Sequence, residues 1–100
     1  NSTAEFLMFQ VEGQEKGVQV VYQDETIWAT QKAIAELFDV KVSTVNEHLK
    51  NIFKDGELQE ETTIRKIRIV QQEGTRQCER EPQCFNLDAI ISVGYRISAM

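Results

Sequence analysis

Apolar and polar positions in this chain follow two periods, and the switches between them mark its elements. Val18, Val20 and Tyr22 alternate with Gln19, Val21 and Gln23, the period-two pattern of a strand. Phe6 to Val11 reads as a shorter strand before it, separated by a polar turn holding Gly13 and Gly17. Asp24-Glu25 marks a turn, and Thr26-Ile27-Trp28 continues as the next strand, so the chain opens on a hairpin. From Thr30 to Gly56 the spacing becomes helical. Ala33, Ile34, Leu37 and Phe38 share one face, and Val45, Leu49, Ile52 and Phe53 share another, with Leu49 and Phe53 expected as core anchors. Asp39-Val40-Lys41-Val42 supplies one buried anchor and a turn between them, which together predict a helix-turn-helix. Thr30 is the expected N-cap of the first helix. Ser43 or Thr44 is expected to cap the second, with Thr44 and Glu47 as a capping box, and Gly56 to close it in the left-handed conformation.

Thr62 to Val70 predicts a strand with Ile67 and Ile69 on one face and Lys66, Arg68 and Val70 on the other; Arg65 shares the Ile67 side. A turn at Gln72-Glu73-Gly74-Thr75 leads to a returning strand within Arg76 to Phe85, interrupted by Pro82. Asn86 is the expected cap of a last helix, with Asp88 near its positive end and Leu87, Ile90 and Ile91 as its apolar face; Gly94 ends or bends it. The predicted fold class is α+β with a winged-helix-like organisation: an amino-terminal hairpin, a helix-turn-helix, a basic β-hairpin over 62–85 and a carboxy-terminal helix. Residues 1–5 read as a tag remnant or disordered end, and 6–100 as a single domain.

Charge alters this picture only through its distribution. The net charge of −5 argues against loose nucleic-acid binding, yet residues 41–56 carry +1 and residues 62–80 carry +3. Positive charge thus gathers on the second helix and the hairpin. No apolar run is long enough to span a bilayer, and no export signal is visible, so the expected location is cytoplasmic with Cys78 and Cys84 as free thiols. No phosphate-binding glycine loop, metal-ligand spacing or nucleophile motif occurs. The chain is therefore read as no enzyme, with no cofactor, no membrane and no small-molecule substrate. His48 lacks a motif partner and reads as a surface or rim residue, and Glu57, Glu60 and Glu61 as a solvated cluster.

Double-stranded DNA is the first partner hypothesis. The helix from Ser43 to Lys54 would enter the major groove, with Lys41, Ser43 and Thr44 on phosphate at its amino end and Asn46, Glu47 and Lys50 facing bases. Lys54 lies on the same outer face, and Arg65, Arg68 and Arg76 would hold flanking backbone. One such helix reads few base pairs, so operator binding would call for a homodimer. A solvated helix face accounts equally well for Asn46, Lys50 and Lys54, and an edge strand guarded by charge accounts for Arg65, Lys66 and Arg68. The alternative function is a protein-interaction module on the same scaffold without DNA.

The segment FNLDAIISVGYRI, residues 85–97, closely resembles the (Y/F)NLDAIISVGYRV signature of the virulence-associated RhuM family. Thr26-Ile27-Trp28-Ala29-Thr30-Gln31, followed by Ala35-Glu36-Leu37-Phe38, is similar to the family's xxWLTQ segment, with Ala29 where Leu is common. VNEHLKNIFKDGEL, residues 45–58, is similar to its hIxNIFxxGEL segment. The resemblance covers about residues 18–97 and extends, more distantly, to the amino-terminal domains of phage antirepressors. It implies a bacterial protein of genomic islands or mobile elements, described as DNA-binding with poorly defined biochemistry. Family members run longer, which implies that this chain is a fragment.

Overall fold

In the computed structural model, residues 5–10 and 17–99 are described. The expected polar turn at 11–16, Met100 and most of the expected amino-terminal remnant lie outside the described residues. Strand β1 (Glu5–Gln10) pairs antiparallel with β2 (Gly17–Gln23), which pairs antiparallel with β3 (Thr26–Ala29). Asp24 and Glu25 both take positive φ, 52° and 63°, the mirror-image turn whose twist suits a two-residue hairpin. Trp28 Nε1 donates to the Gln23 carbonyl at 3.0 Å and ties that turn down.

Thr30 then caps α1 (Gln31–Phe38), its Oγ1 accepting from the Ala33 N–H at 3.1 Å. The helix ends on Asp39 at φ 55°; Asp39 N–H donates to Glu36 O, and Val40 N–H to Ala35 O at 3.0 Å. Only Val40 and Lys41 separate this end from α2 (Val42–Lys54). At the far end of α2, Gly56 at φ 74° donates to Phe53 O and Glu57 to Ile52 O, the paired bonds of a Schellman close. A single turn, α3 (Glu60–Thr63), leads into β4 (Ile64–Lys66), β5 (Ile69–Glu73), β6 (Arg76–Arg80) and β7 (Gln83–Asn86). The last helix, α4 (Leu87–Ser98), starts on Asn86, whose Oδ1 accepts from Ala89 N–H at 3.1 Å.

The strands form a five-stranded antiparallel sheet in the order β1-β2-β3-β7-β4, and β5 and β6 form a separate ribbon. Both arms of the expected 62–85 hairpin are thus broken. They leave the main sheet together at Ile67–Arg68 and at Glu81–Pro82, where Ile67 N–H donates to Pro82 O at 3.3 Å. Proline has no N–H to continue the ladder, so the sheet stops there and the ribbon starts anew.

Period-two alternation sorts the sheet into two faces. Val18, Val20, Ala29 and Phe85 meet the helices, where they pack with Ile34, Val45, Leu49, Ile52, Ala89, Ile90 and Val93. Val21, Trp28 and Cys84 face the other way and are covered by Ile67 and Ile69 at the root of the ribbon. The helix α2 packs on α1 and α4 and forms the outer edge of the helical layer.

Several expectations give way to this packing. Neither Ser43 nor Thr44 caps α2, and the capping box with Glu47 does not form. The N-cap is Lys41 with no side-chain hydrogen bond, and Thr44 is already inside the helix, its N–H donating to Lys41 O at 3.0 Å. The short turn after Asp39 leaves no room for a later start that still turns Val45, Leu49 and Ile52 inward. Phe53 is half-buried, and Ile52 takes the deeper place. Glu60 and Glu61 begin a helical turn rather than a loop. Gly94 does not end α4, which runs on to Ser98, and the buried residues of that helix are Ala89, Ile90 and Val93, leaving Leu87 and Ile91 outside.

Candidate nucleic-acid interface

The outer surface of α2 is built by subtraction. Val45, Leu49 and Ile52 take the inward positions, so Ser43, Glu47, Lys50 and Lys54 fall on one exposed stripe at spacings of four, three and four. Asn46 and Thr44 flank it, half-buried. Lys41 stands exposed at the start of the helix, which has no acidic residue in its first turn. Backbone N–H groups there lack side-chain partners, and the helix dipole adds positive potential, the combination that accepts a phosphate oxygen. Lys41, Lys50 and Lys54 form no ion pair among the described residues. Glu47 puts one negative charge within the stripe.

The hairpin arginines are placed differently. Arg65 pairs in register with Cys84, so it lies on the sheet face away from the helices. Its guanidinium sits 4.4 Å from the Trp28 ring centroid, donates to Gln23 Oε1 at 3.4 Å and is ion-paired with Asp24. The fold therefore does not bring Arg65 together with α2. Arg68 is exposed at the ribbon's root and ion-paired with Glu79 at 2.8 Å. Arg76 is exposed on the ribbon, paired in register with Glu73. Lys66, not among the residues expected to touch DNA, shares the Ile64 side of β4, and Ile64 packs against the helical core. The alternation of Ile64, Arg65 and Lys66 carries that signal. His48 is half-buried with Nε2 enclosed and unpartnered.

A second feature was silent in the sequence. Gln31, the first residue of α1, donates from Nε2 to Asn46 Oδ1 at 3.3 Å, linking the two helices beside the stripe. At the opposite end of α2, Arg96 of α4 reaches Asp55 at 3.2 Å and Glu57 at 3.1 Å. A hydrogen bond from Ser92 and the Arg96 guanidinium hold Glu57 below the usual carboxylate range. Two acids at the negative end of the helix are thereby compensated.

Elsewhere, a cavity of about 120 Å³ lies among Val21, Trp28, Lys32, Glu36 and Cys84. It falls well below the roughly 300–1,000 Å³ of small-molecule pockets. No helix among the described residues is long and apolar enough to cross a membrane.

These elements define a small mixed α+β domain, with four helices among the described residues and an antiparallel sheet. The model of the Virulence protein RhuM family matches residues 62–100, the part running from α3 through the ribbon to α4, and supports the RhuM family assignment. No match is found among curated proteins or among solved structures.

Proposed function

We propose that the chain is a DNA-binding module that sets α2 in the major groove, as a part of a bacterial RhuM-like virulence or mobile-element protein acting in transcription regulation. One observation carries the reading. α2 is anchored across a short turn against α1 and α4, leaving a stripe of Ser43, Glu47, Lys50 and Lys54 that begins at an uncapped helix end beside Lys41. The chain order supports it. The pair α1–α2 lies between β3 and β4, and the β5–β6 ribbon lies between β4 and β7, which sits at the centre of β3-β7-β4. That is winged-helix logic, with the ribbon as wing. Lys41, Ser43 and Thr44 would take phosphate, while Asn46, Glu47 and Lys50 meet base edges and Lys54 the far backbone. Arg68 and Arg76 would reach flanking phosphate from the ribbon. Operator-length recognition would use two copies.

The test is a fluorescence-anisotropy titration of the full chain against labelled duplex DNA at several salt concentrations. Affinity should fall steeply with salt, and Lys41→Ala and Lys54→Ala should each flatten the slope by about 0.9 for every phosphate no longer neutralised. Binding that is absent or independent of salt overturns the reading.

A second reading, a protein-interaction module without DNA, is favoured by a different observation. Leu87, Ile91 and Tyr95 form a stripe along α4 that is 40, 49 and 74 % exposed. Ile91→Asp separates the two readings, since it leaves duplex binding by α2 intact and removes a partner held on α4.

A further inference from the structure

Lys66 and Gln83 face each other near one end of the sheet. They pair in register across β4 and β7, one step beyond Arg65 and Cys84 and two beyond Ile64 and Phe85. Ile64 and Phe85 pack into the helical core, so alternation sets Lys66 and Gln83 on the helical side as well, and both are exposed there. Directly opposed residues of an antiparallel pair carry their Cβ atoms about 5 Å apart. An ammonium and a carboxamide at that separation can hold one oxyanion between them, the lysine by its charge and the glutamine by its N–H donors. Lys66 forms no ion pair among the described residues, whereas Arg65 beside it is engaged with Asp24 and the Trp28 ring. The same end of the sheet leads to α2. Ala29 and Ile64 both pair with Phe85, so one row crosses β3, β7 and β4. Two residues further along each strand lie Gln31, Gln83 and Lys66, the chain still extended at Thr30 as it enters α1. A strand spacing of about 4.8 Å puts Lys66 roughly 10 Å across from Gln31, and the Gln31 amide touches that of Asn46 on α2. The major groove is about 12 Å wide, so phosphates flank an inserted helix at a comparable distance.

We infer that Lys66 and Gln83 form a phosphate-binding site on the sheet edge, which grips the DNA backbone beside the groove that α2 enters. The inference rests on the DNA-binding reading and deepens it. It puts Lys66 in the place expected of Arg65, because alternation turns only Lys66 toward the side that carries α2.

The experiment titrates the full chain and its variants against a labelled duplex pool of randomised sequence over one salt series, with thermal melts of every variant alongside. Lys66→Ala removes one phosphate contact and should flatten the slope of log affinity against log salt by about 0.9. Lys66→Arg keeps the charge and should keep the slope. Gln83→Ala removes neutral donors, so affinity should fall several-fold at every salt concentration while the slope stays. Gln83→Glu sets a carboxylate opposite Lys66 and should flatten the slope as Lys66→Ala does. Both side chains are exposed, so melting temperatures should stay close to that of the unsubstituted chain. A lysine that only guards the edge strand against pairing would change self-association and leave the slope alone. Salt-dependent binding with the same slope in Lys66→Ala, or with unmoved affinity in Gln83→Ala, overturns the inference and leaves DNA binding standing. Absence of salt-dependent binding by the unsubstituted chain overturns both.

Discussion

At Gly94 a Cβ would stand 2.8 Å from Cζ of Phe38 and 3.0 Å from Cε1, closer than side chains tolerate. The glycine therefore sits in mid-helix to let α4 lie against the end of α1. Two effects oppose each other in Gly94→Ala: helix propensity gains about 1 kcal/mol, and overpacking costs about 1–3 kcal/mol. The net effect should be destabilising in the native background and stabilising in Phe38→Leu, where the ring is gone. Denaturant melts of the four combinations check this, and a stabilising alanine in both backgrounds would show that Phe38 is not the obstacle. Cys84 gives a second residue-scale case. Burial pushes its thiol from 9.0 to about 11. A thiol raised in the folded state favours folding below its unfolded value, and that contribution is lost as pH climbs from about 9 through about 11. Stability should decline across this window, and Cys84→Ala should flatten the decline. Native alkylation should modify half-buried Cys78 well before Cys84.

The helices are secured at their ends, and it is there that the sequence was most and least legible. Thr30 and Asn86 cap as their residue types require, and Gly56 takes the left-handed position it was expected to take. Ser43 and Thr44 are equally good capping types, yet tertiary packing overrides them, because the inward register of Val45, Leu49 and Ile52 fixes where α2 begins. Asp39 is the converse, a non-glycine in the left-handed region at φ 55°. Asp39→Gly should stabilise the chain by up to about 1 kcal/mol in a thermal melt, less the entropy glycine adds to the unfolded state. The Arg96 clamp on Asp55 and Glu57 was invisible, since it joins residues 41 and 39 positions apart. Arg96→Gln should lower the melting temperature, more at low salt than at high. It should also return Glu57 toward its ordinary value. A carboxylate held low stabilises the fold above its unfolded value of 4.5, and that contribution is lost as pH falls through the folded value. The acid-side loss of stability should therefore be smaller in Arg96→Gln.

For the whole molecule, the sheet is a partition. Its helical side carries α2 with Lys41, Ser43, Lys50 and Lys54, and its other side carries Trp28, Cys84 and Arg65 under the root of the ribbon. The exposed stripe of α2 was legible because helical period alone selects it. The placement of Arg65 was legible only as strand alternation, since which side of a strand faces the helices depends on pairing with β7. Charge counted along the chain made Lys41 and Arg65 equivalent members of one basic surface. In space they differ, and this separates them experimentally. Arg65 is held by Asp24 and Gln23 over the Trp28 ring, so Arg65→Ala should shift the intrinsic fluorescence of Trp28, lower the melting temperature and leave the salt dependence of duplex binding unchanged. Lys41→Ala removes an exposed charge at an uncapped helix start, and should flatten that dependence by the equivalent of about one phosphate, with little change in melting temperature. Titrations of both variants over the same salt series decide the matter. If Arg65→Ala flattens the slope as much as Lys41→Ala does, DNA must reach the Trp28 face of the sheet, and a docking that leaves that face free is wrong.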